Sequence, residues 1–413
     1  MEQSCGFRCG ISLPFQRIPA NFCDIPSVHN YSVPGDAAEV WRTASGSMSF
    51  DENAAIMGAI GESLERYSGA VCGFEAKPFS ALKNERVIPL DEFSLFSEAQ
   101  YGQPGFAWKK PAEEARYFGK MHSLYDNEEV YVPQELIGLG SRTGKPCVPS
   151  TSTGLAAHTS APQALISALL EVLERDALAV YWLHSLGGRK IALEKKYTRE
   201  VETKGGCVTG FDITQDWNPF PVVIVCGWLL SGGMKRISMG VACRENYGKA
   251  IEKAYLEWIQ GCVFAGYYHA RHPNLTLGRR SDVTSFDLHA VYYTKHPEQW
   301  EKVPLIRDRL ENGMEGGRPC EPRDESCRAG TPAFQYLLKR LKKENIRLLY
   351  KDMTPVDVRE AGVSVMRVVS PDLSPIHGDE NMPFLGGRTG DLAWRYAGMK
   401  GGQFPNEFPH PLG

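Results

Sequence analysis

The sequence predicts an α+β fold in one large domain, built of strands and long helices. Apolar residues recur at helical spacing over several long stretches, and short apolar runs bounded by turn residues read as strands. The two kinds of segment do not alternate as in a parallel βαβ array, and no glycine-rich nucleotide loop opens a helix. A carboxylate-rich helical motif also occurs twice, as Gly58-Ala-Ile-Gly-Glu62-Ser-Leu-Glu65-Arg66 and as Ser167-Ala-Leu-Leu-Glu171-Val-Leu-Glu174-Arg175.

The stretch 1–44 is Pro- and Cys-rich and aperiodic, and is expected to cover the body of the protein. Asp51 is placed to cap a helix running to Val71, packed through Ala54, Ala55, Met57, Ala59 and Ile60. Residues 85–150 read as loops and short strands, with 87–89 and 129–133 as strand candidates. A Gly/Ser/Thr loop at 150–154 leads to a second long helix over 161–186, with Pro162 in its first turn, where a missing N–H costs little. Residues 221–230 read as a buried strand with 235–242 as its hairpin partner, followed by a helix over 247–268 that carries Ala250, Ala254, Glu257 and Gln260. An irregular excursion is expected over 272–330. An amphipathic helix over 332–344 precedes strands at 346–350 and 362–369, and the chain beyond Gly386 is rich in Gly, Arg and Pro. The domain proper is placed at 45–400, with a Pro-containing tail at 401–413.

Composition excludes several classes. With 413 residues, 42% hydrophobic, the chain can bury a sizeable core. A formal net charge of −3 with mixed signs argues against nucleic acid or an anionic membrane as partner. The start of the chain has neither a basic nor an apolar signal region, and the apolar run at 221–230 is too short to span a bilayer, so a cytoplasmic protein is expected. The eleven cysteines are scattered, and free thiols are expected. Cys5, Cys9 and Cys23 come nearest to a metal cluster but lack a fourth ligand. His269 and His272 have no carboxylate or cysteine close in sequence.

The duplicated motif carries the chemistry. Glu at i and i+3 with Arg at i+4 share one helix face. A single such motif is an ordinary exposed ion pair worth a few tenths of a kcal/mol. Here, however, the charges sit among small and apolar residues, and a Glu in such surroundings must be paired or bound. Two such helices face to face would gather four carboxylates, which raise one another's pKa unless a cation intervenes. Hard oxygen donors of this kind suit Mg²⁺, so a metal–nucleotide site is expected at Glu62, Glu65, Glu171 and Glu174. The segment Leu139 to Pro146 only approaches a P-loop: its first Gly is one position off, and Pro146 stands where a Ser or Thr should be.

These helices, with the third, resemble the YcaO superfamily of ATP-using peptide-modifying enzymes, whose pattern is S-x₃-E-x-x-E-R, S-x₃-E-x-x-E and E-x-x-Q-x₃-R. The matching positions are Glu62, Glu65 and Arg66; Ser167, Glu171 and Glu174; Glu257 and Gln260. The blocks Ser152 to His158, Glu174 to Ala177 and Lys351 to Thr354 also look like the family, and the resemblance runs from about Ser45 to the C-terminus. Gly58 replaces the family's Ser, Thr153 its Asn and Phe264 its Arg, and residues 45–49 lack the Lys common in that loop. These departures bear on contacts to the nucleotide. The tail, with Pro405, Pro409 and Pro411, looks like the P-x-P-x-P end of the azoline-forming cyclodehydratases, one Pro short.

The resemblance implies ATP and Mg²⁺ as cofactors. It implies metal binding by the four glutamates, nucleotide contacts from Arg66, Ser152, Ser167, Glu257 and Gln260, and a catalytic role for the tail residues Pro409, Pro411 and Gly413. The implied reaction forms thiazolines and oxazolines in a ribosomal precursor peptide. A Cys, Ser or Thr side chain attacks the preceding amide carbonyl, the resulting oxygen takes the γ-phosphate of ATP, and phosphate leaves as the ring's C=N bond closes. Implied partners are a separate leader-binding, ubiquitin-activating-enzyme-like subunit and a flavin dehydrogenase, with the chain itself a homodimer within the complex. No leader-binding module is visible ahead of Ser45. Thioamide or amidine formation, and a degenerate scaffold subunit, are the alternatives.

Overall fold

The computed structural model describes residues 1–6, 10–19, 25, 27–35, 44–110, 112, 116–140, 146–308 and 331–413. Cys9 and Cys23, and most of the loop that approaches a P-loop, lie outside these residues. The fold is α+β, with mixed helices and antiparallel sheets and no closed barrel.

Three antiparallel sheets form the frame. The first joins β1 (Gln16–Arg17), β2 (His29–Val33) and β3 (Ser45–Ser49). The pairing of β2 with β3 carries this sheet across the boundary expected at residue 44. The largest, in the order β4-β5-β12-β13-β7, contains β4 (Ala76–Pro78), β5 (Tyr117–Ser123), β7 (Leu155–His158), β12 (Leu349–Asp352) and β13 (Ser364–Val369), with β6 (Glu129–Pro133) also pairing β5. The third, in the order β11-β10-β9-β8, contains β8 (Arg189–Ile191), β9 (Cys207–Asp212), β10 (Val222–Ser231) and β11 (Met234–Cys243).

Three long helices lie against these sheets. Helix α1 (Glu52–Val71) starts where the Asp51 carboxylate accepts from Ala54 N–H at 2.7 Å, and it packs on β2, β3 and β7. Helix α2 (Ala161–Leu183) is buried almost all round from Ala164 onward and rests on β13, β7 and β11, so it bridges the two larger sheets. Helix α3 (Tyr247–Arg271), capped by Asn246, covers β11 and β10. The main core forms around α2, where Leu169, Leu173, Leu178 and Val180 meet Ile224, Val241 and Tyr293.

The expected irregular excursion contains order. Helix α4 (Phe286–Lys295) buries His289, Ala290, Val291 and Tyr293, and packs on α3 and β11. Its charged and aromatic residues obscure the helical period in the sequence. Residues 87–89 form no strand, only an isolated bridge from Val87 to Tyr131. The amphipathic helix appears as α5 (Pro332–Lys343).

Candidate functional site

Strand β3 links the first and third helices. The Gly46 amide donates to Glu62 at 2.8 Å, and the Gly46 carbonyl accepts from Gln260 at 3.0 Å. On the other side, Cys243 N–H at the end of β11 donates to Glu174 at 3.1 Å, and Val241 N–H donates to Glu257 at 3.4 Å. The main chain thus fixes one carboxylate oxygen of each of these glutamates, while the other faces a cation: Arg66 at Glu62, Arg175 at Glu174 and Lys253, 3.0 Å away, at Glu257.

The charges interlock across helices. Arg66 lies 3.4 Å from Glu62, and Arg175 lies 3.6 Å from Glu171 and 3.7 Å from Glu174. Burial raises the Glu65 carboxyl well above its usual range; Arg66 opposes the rise, and Glu171 and Glu62 add to it. Burial also raises Glu171, against the pull of Arg175, Arg66 and Arg367. Glu174, 4% exposed, is pushed up to about 8 by burial and then by Glu257, with Arg175 and Arg244 opposing. Burial works against the charge on Arg66, yet the surrounding glutamates outweigh it and raise its pKa. The three helices therefore bring their glutamates close enough to repel one another, despite the neighbouring Arg66, Arg175, Arg244 and Arg367. A hard cation would relieve that repulsion, and the donor set is the oxygen-only kind that Mg²⁺ takes, so the residues present fit it.

The substituted positions have a structural account in part. A Cβ added to Gly58 would overlap the Ser47 hydroxyl, so β3 brings a serine side chain to the place where a serine at position 58 would point. Thr153 accepts from the Thr151 hydroxyl at 3.0 Å and lines a small cavity together with Val172, Arg367 and Ser374. Phe264 packs on Tyr268, with ring centroids 5.7 Å apart. Ser167, one turn before Glu171, is exposed, and Ser152 is half-buried.

Two contributors were not read from the sequence. Arg367 on β13 is buried, donates to the Leu136 carbonyl at 3.0 and 3.2 Å, and faces Glu171 and Glu65. Burial pulls its pKa down to about 10 while the two glutamates hold it up. A lone Arg in the apolar run Val365-Met-Arg-Val-Val369 was the available signal. Gly154, at φ +81°, allows close approach to the Val368 carbonyl, and its amide is hydrogen-bonded to Glu171.

The tail is packed, not solvated. Trp182 Nε1 donates to the Phe408 carbonyl at 2.7 Å, Tyr293 OH donates to the Pro409 carbonyl at 2.7 Å, and Asn406 bonds the end of α2. Pro409, His410, Pro411 and Leu412 are buried; Gly413 is exposed. This contact falls at Trp182, eight residues past Glu174, or about 12 Å along the helix at 1.5 Å per residue. The structure gathers Glu62, Glu65, Arg66, Glu171, Glu174, Glu257 and Gln260 together, whereas the tail is held at Asn406 and Phe408 by the end of α2, and Pro409 and Gly413 lie against α4.

The family model for YcaO cyclodehydratases, described as ATP- and Mg²⁺-binding, matches residues 48–374. The chain belongs to the YcaO family. Among solved structures, a heterocyclase in complex with substrate and cofactor superposes with a TM-score of 0.70 at 18% identity, covering 98% of this chain and 55% of the other. The chain thus spans about half the length of that relative. YcaO from Methanopyrus kandleri bound with AMPPCP and Mg²⁺ gives 0.60 at 16%, covering 96% and 90%. The E. coli microcin synthetase McbBCD complex gives 0.61 at 17%, covering 91% and 93%. At these identities the likeness speaks for the fold. No curated protein matches the chain. Among the described residues, no helix is long and apolar enough to cross a membrane.

Proposed function

We propose that this YcaO chain is the ATP-dependent cyclodehydratase component of a complex that forms thiazolines and oxazolines from Cys, Ser and Thr in a ribosomal precursor peptide. The observation that carries the reading is the meeting of Glu62, Glu65, Glu171, Glu174 and Glu257 from three helices, with Glu65, Glu171 and Glu174 raised in pKa by burial, and Glu65 and Glu174 further by neighbouring glutamates. Glu62, Glu65, Glu171 and Glu174 would hold Mg²⁺, which when bound neutralises phosphate charge. Arg66 and Arg175 hold positive charge at the rim of the carboxylates, where phosphate oxygens would approach. The amides of Gly46 and Cys243 keep Glu62 and Glu174 oriented without side-chain rearrangement. Arg367 keeps Glu65 and Glu171 paired from the buried side. Ser152, Ser167 and Gln260 are secondary nucleotide contacts in this reading.

The tail residues Pro409, Pro411 and Gly413 act on substrate geometry in this proposal, through the attachment of Phe408 to the end of α2 and of Pro409 to α4. The proposed partners are a ubiquitin-activating-enzyme-like subunit that presents the leader, a flavin dehydrogenase, and a second copy of this chain, all in the cytoplasm. The microcin synthetase complex, solved also with pro-MccB17 bound, supports a multisubunit arrangement. The test is mass spectrometry of candidate precursor peptides incubated with the chain, ATP, Mg²⁺ and neighbour-encoded proteins. Loss of about 18 Da per ring, dependent on ATP, is the expected result. A gain of about 16 Da would instead mark thioamide formation and overturn the ring-forming assignment.

A further inference from the structure

A second cluster of ligand-type side chains is built from elements other than the carboxylate helices. His289 comes from α4, His377 and Glu380 from the loop after β13, and His410 from the tail between two prolines. His289, Glu380 and His410 are all buried, and each offers a ligand atom within 4.8 Å of the others. The third imidazole, His377 Nε2, lies 3.3 Å from Glu380. The rings of His289 and His410 stack 3.8 Å apart, and that of His377 stands edge-on to both.

Hydrogen bonds account for only part of this cluster. His289 Nδ1 faces the His410 carbonyl at 2.8 Å, and His410 Nε2 faces the His377 carbonyl at 2.8 Å. Arg280 Nε donates to the second oxygen of Glu380 at 2.7 Å. His289 Nε2, His410 Nδ1 and His377 Nδ1 are buried without a hydrogen-bond partner, while His377 Nε2 and Glu380 Oε1 face each other at 3.3 Å. A buried polar atom normally finds a partner, because leaving it bare forfeits its hydration. Several bare imidazole nitrogens beside a carboxylate oxygen in one place point to a shared guest that accepts electron pairs.

We propose that His289, Glu380 and His410, with His377 beside them, form a binding site for a divalent transition-metal ion of the zinc type. Imidazole and carboxylate donors suit Zn²⁺, whereas the all-oxygen set on the helices suits Mg²⁺. Zinc–ligand bonds of about 2.0–2.2 Å ask for a contraction of only about 1 Å from the present spacing. The carbonyl and Arg280 contacts are the outer partners that orient metal ligands. The ion joins three separate stretches of chain and so fastens the tail, through His410, to α4 and to the loop after β13.

The test uses the full chain, purified without chelator and titrated with zinc chloride in excess Mg²⁺, so that the carboxylate helices do not take the probe. About one zinc per chain is expected, with a rise in melting temperature on zinc addition. Glu380→Gln and His410→Ala should weaken zinc binding at least about 100-fold, since outer-shell changes alone cost 10–100-fold. Glu174→Gln should bind zinc as the parent does. X-ray absorption at the zinc edge of the native chain should give nitrogen and oxygen neighbours with imidazole scattering, and it decides the matter if either ligand variant fails to fold. A sulfur shell, unchanged binding in a folded ligand variant, or a native chain that neither retains zinc nor shifts its melting on titration would overturn the site.

Discussion

Replacing Glu174 by Gln should make the protein more stable without ligand and deaf to Mg·ATP. The side chain is 4% exposed and its pKa is raised to about 8 by burial and Glu257. A carboxyl raised in the folded state contributes stability that is fully present below its unfolded value and is lost as pH rises through the folded value. Ionising Glu174 at pH 8 therefore costs the ligand-free protein on the order of 2–5 kcal/mol, taking about 1.4 kcal/mol per pH unit. An amide keeps the shape, can still accept from Cys243 N–H, and carries no charge to repel Glu257. In EDTA at pH 8 the variant should melt about 2–8 °C above the parent, and the difference should close toward pH 4. With Mg·ATP at about a hundred times its dissociation constant, the parent should gain about 2.7 kcal/mol and the variant nearly nothing. Differential scanning calorimetry across pH 4–9, with and without Mg·ATP, reads both effects. A variant that melts below the parent at pH 8 in EDTA, or gains as much from Mg·ATP, would refute the assignment of Glu174 as a buried ligand.

Arg367→Gln should destabilise the chain by about 3–5 kcal/mol in a urea melt, because it leaves Glu65 and Glu171 without their buried cation, and Mg²⁺ should recover part of that loss. Gly58→Ser should cost about 1–3 kcal/mol by overlap with Ser47, and Ser47→Gly in the same chain should relieve it; additive effects in the double-mutant cycle would refute the shared space. Deleting residues 409–413 should abolish the loss of water seen by mass spectrometry while Mg·ATP binding, followed by calorimetry, largely survives. Because Pro409 to Leu412 are buried, the truncated chain should also melt at a lower temperature. Full ring yield from a truncated chain would remove the tail from the proposed chemistry.

The long elements were legible because each is specified locally. Asp51 and Pro162 mark helix starts, and the helical period of small and apolar residues runs on from them. The continuous apolar run of β10, buried on both faces, was equally plain, whereas α4 was not, because its buried positions include His289, Tyr292, Tyr293 and Thr294. The short strands β8 and β9 lack a period long enough to read.

The sequence by itself determined which glutamates share a face, because two residues at i and i+3 lie on one side of a helix wherever the helix is placed. Only the tertiary structure decided what surrounds them. Arg367, Gly46 and Cys243 reach the carboxylates through sheet pairing between distant segments, and the exchange of space between Ser47 and Gly58 depends on how β3 lies on α1. The histidine cluster is the extreme case. Its members come from a helix, a loop and the chain end, and no local period connects His289, His377, Glu380 and His410. Local periodicity arises from bond geometry within one segment, whereas such clusters arise from packing between segments, which a single stretch of sequence does not encode.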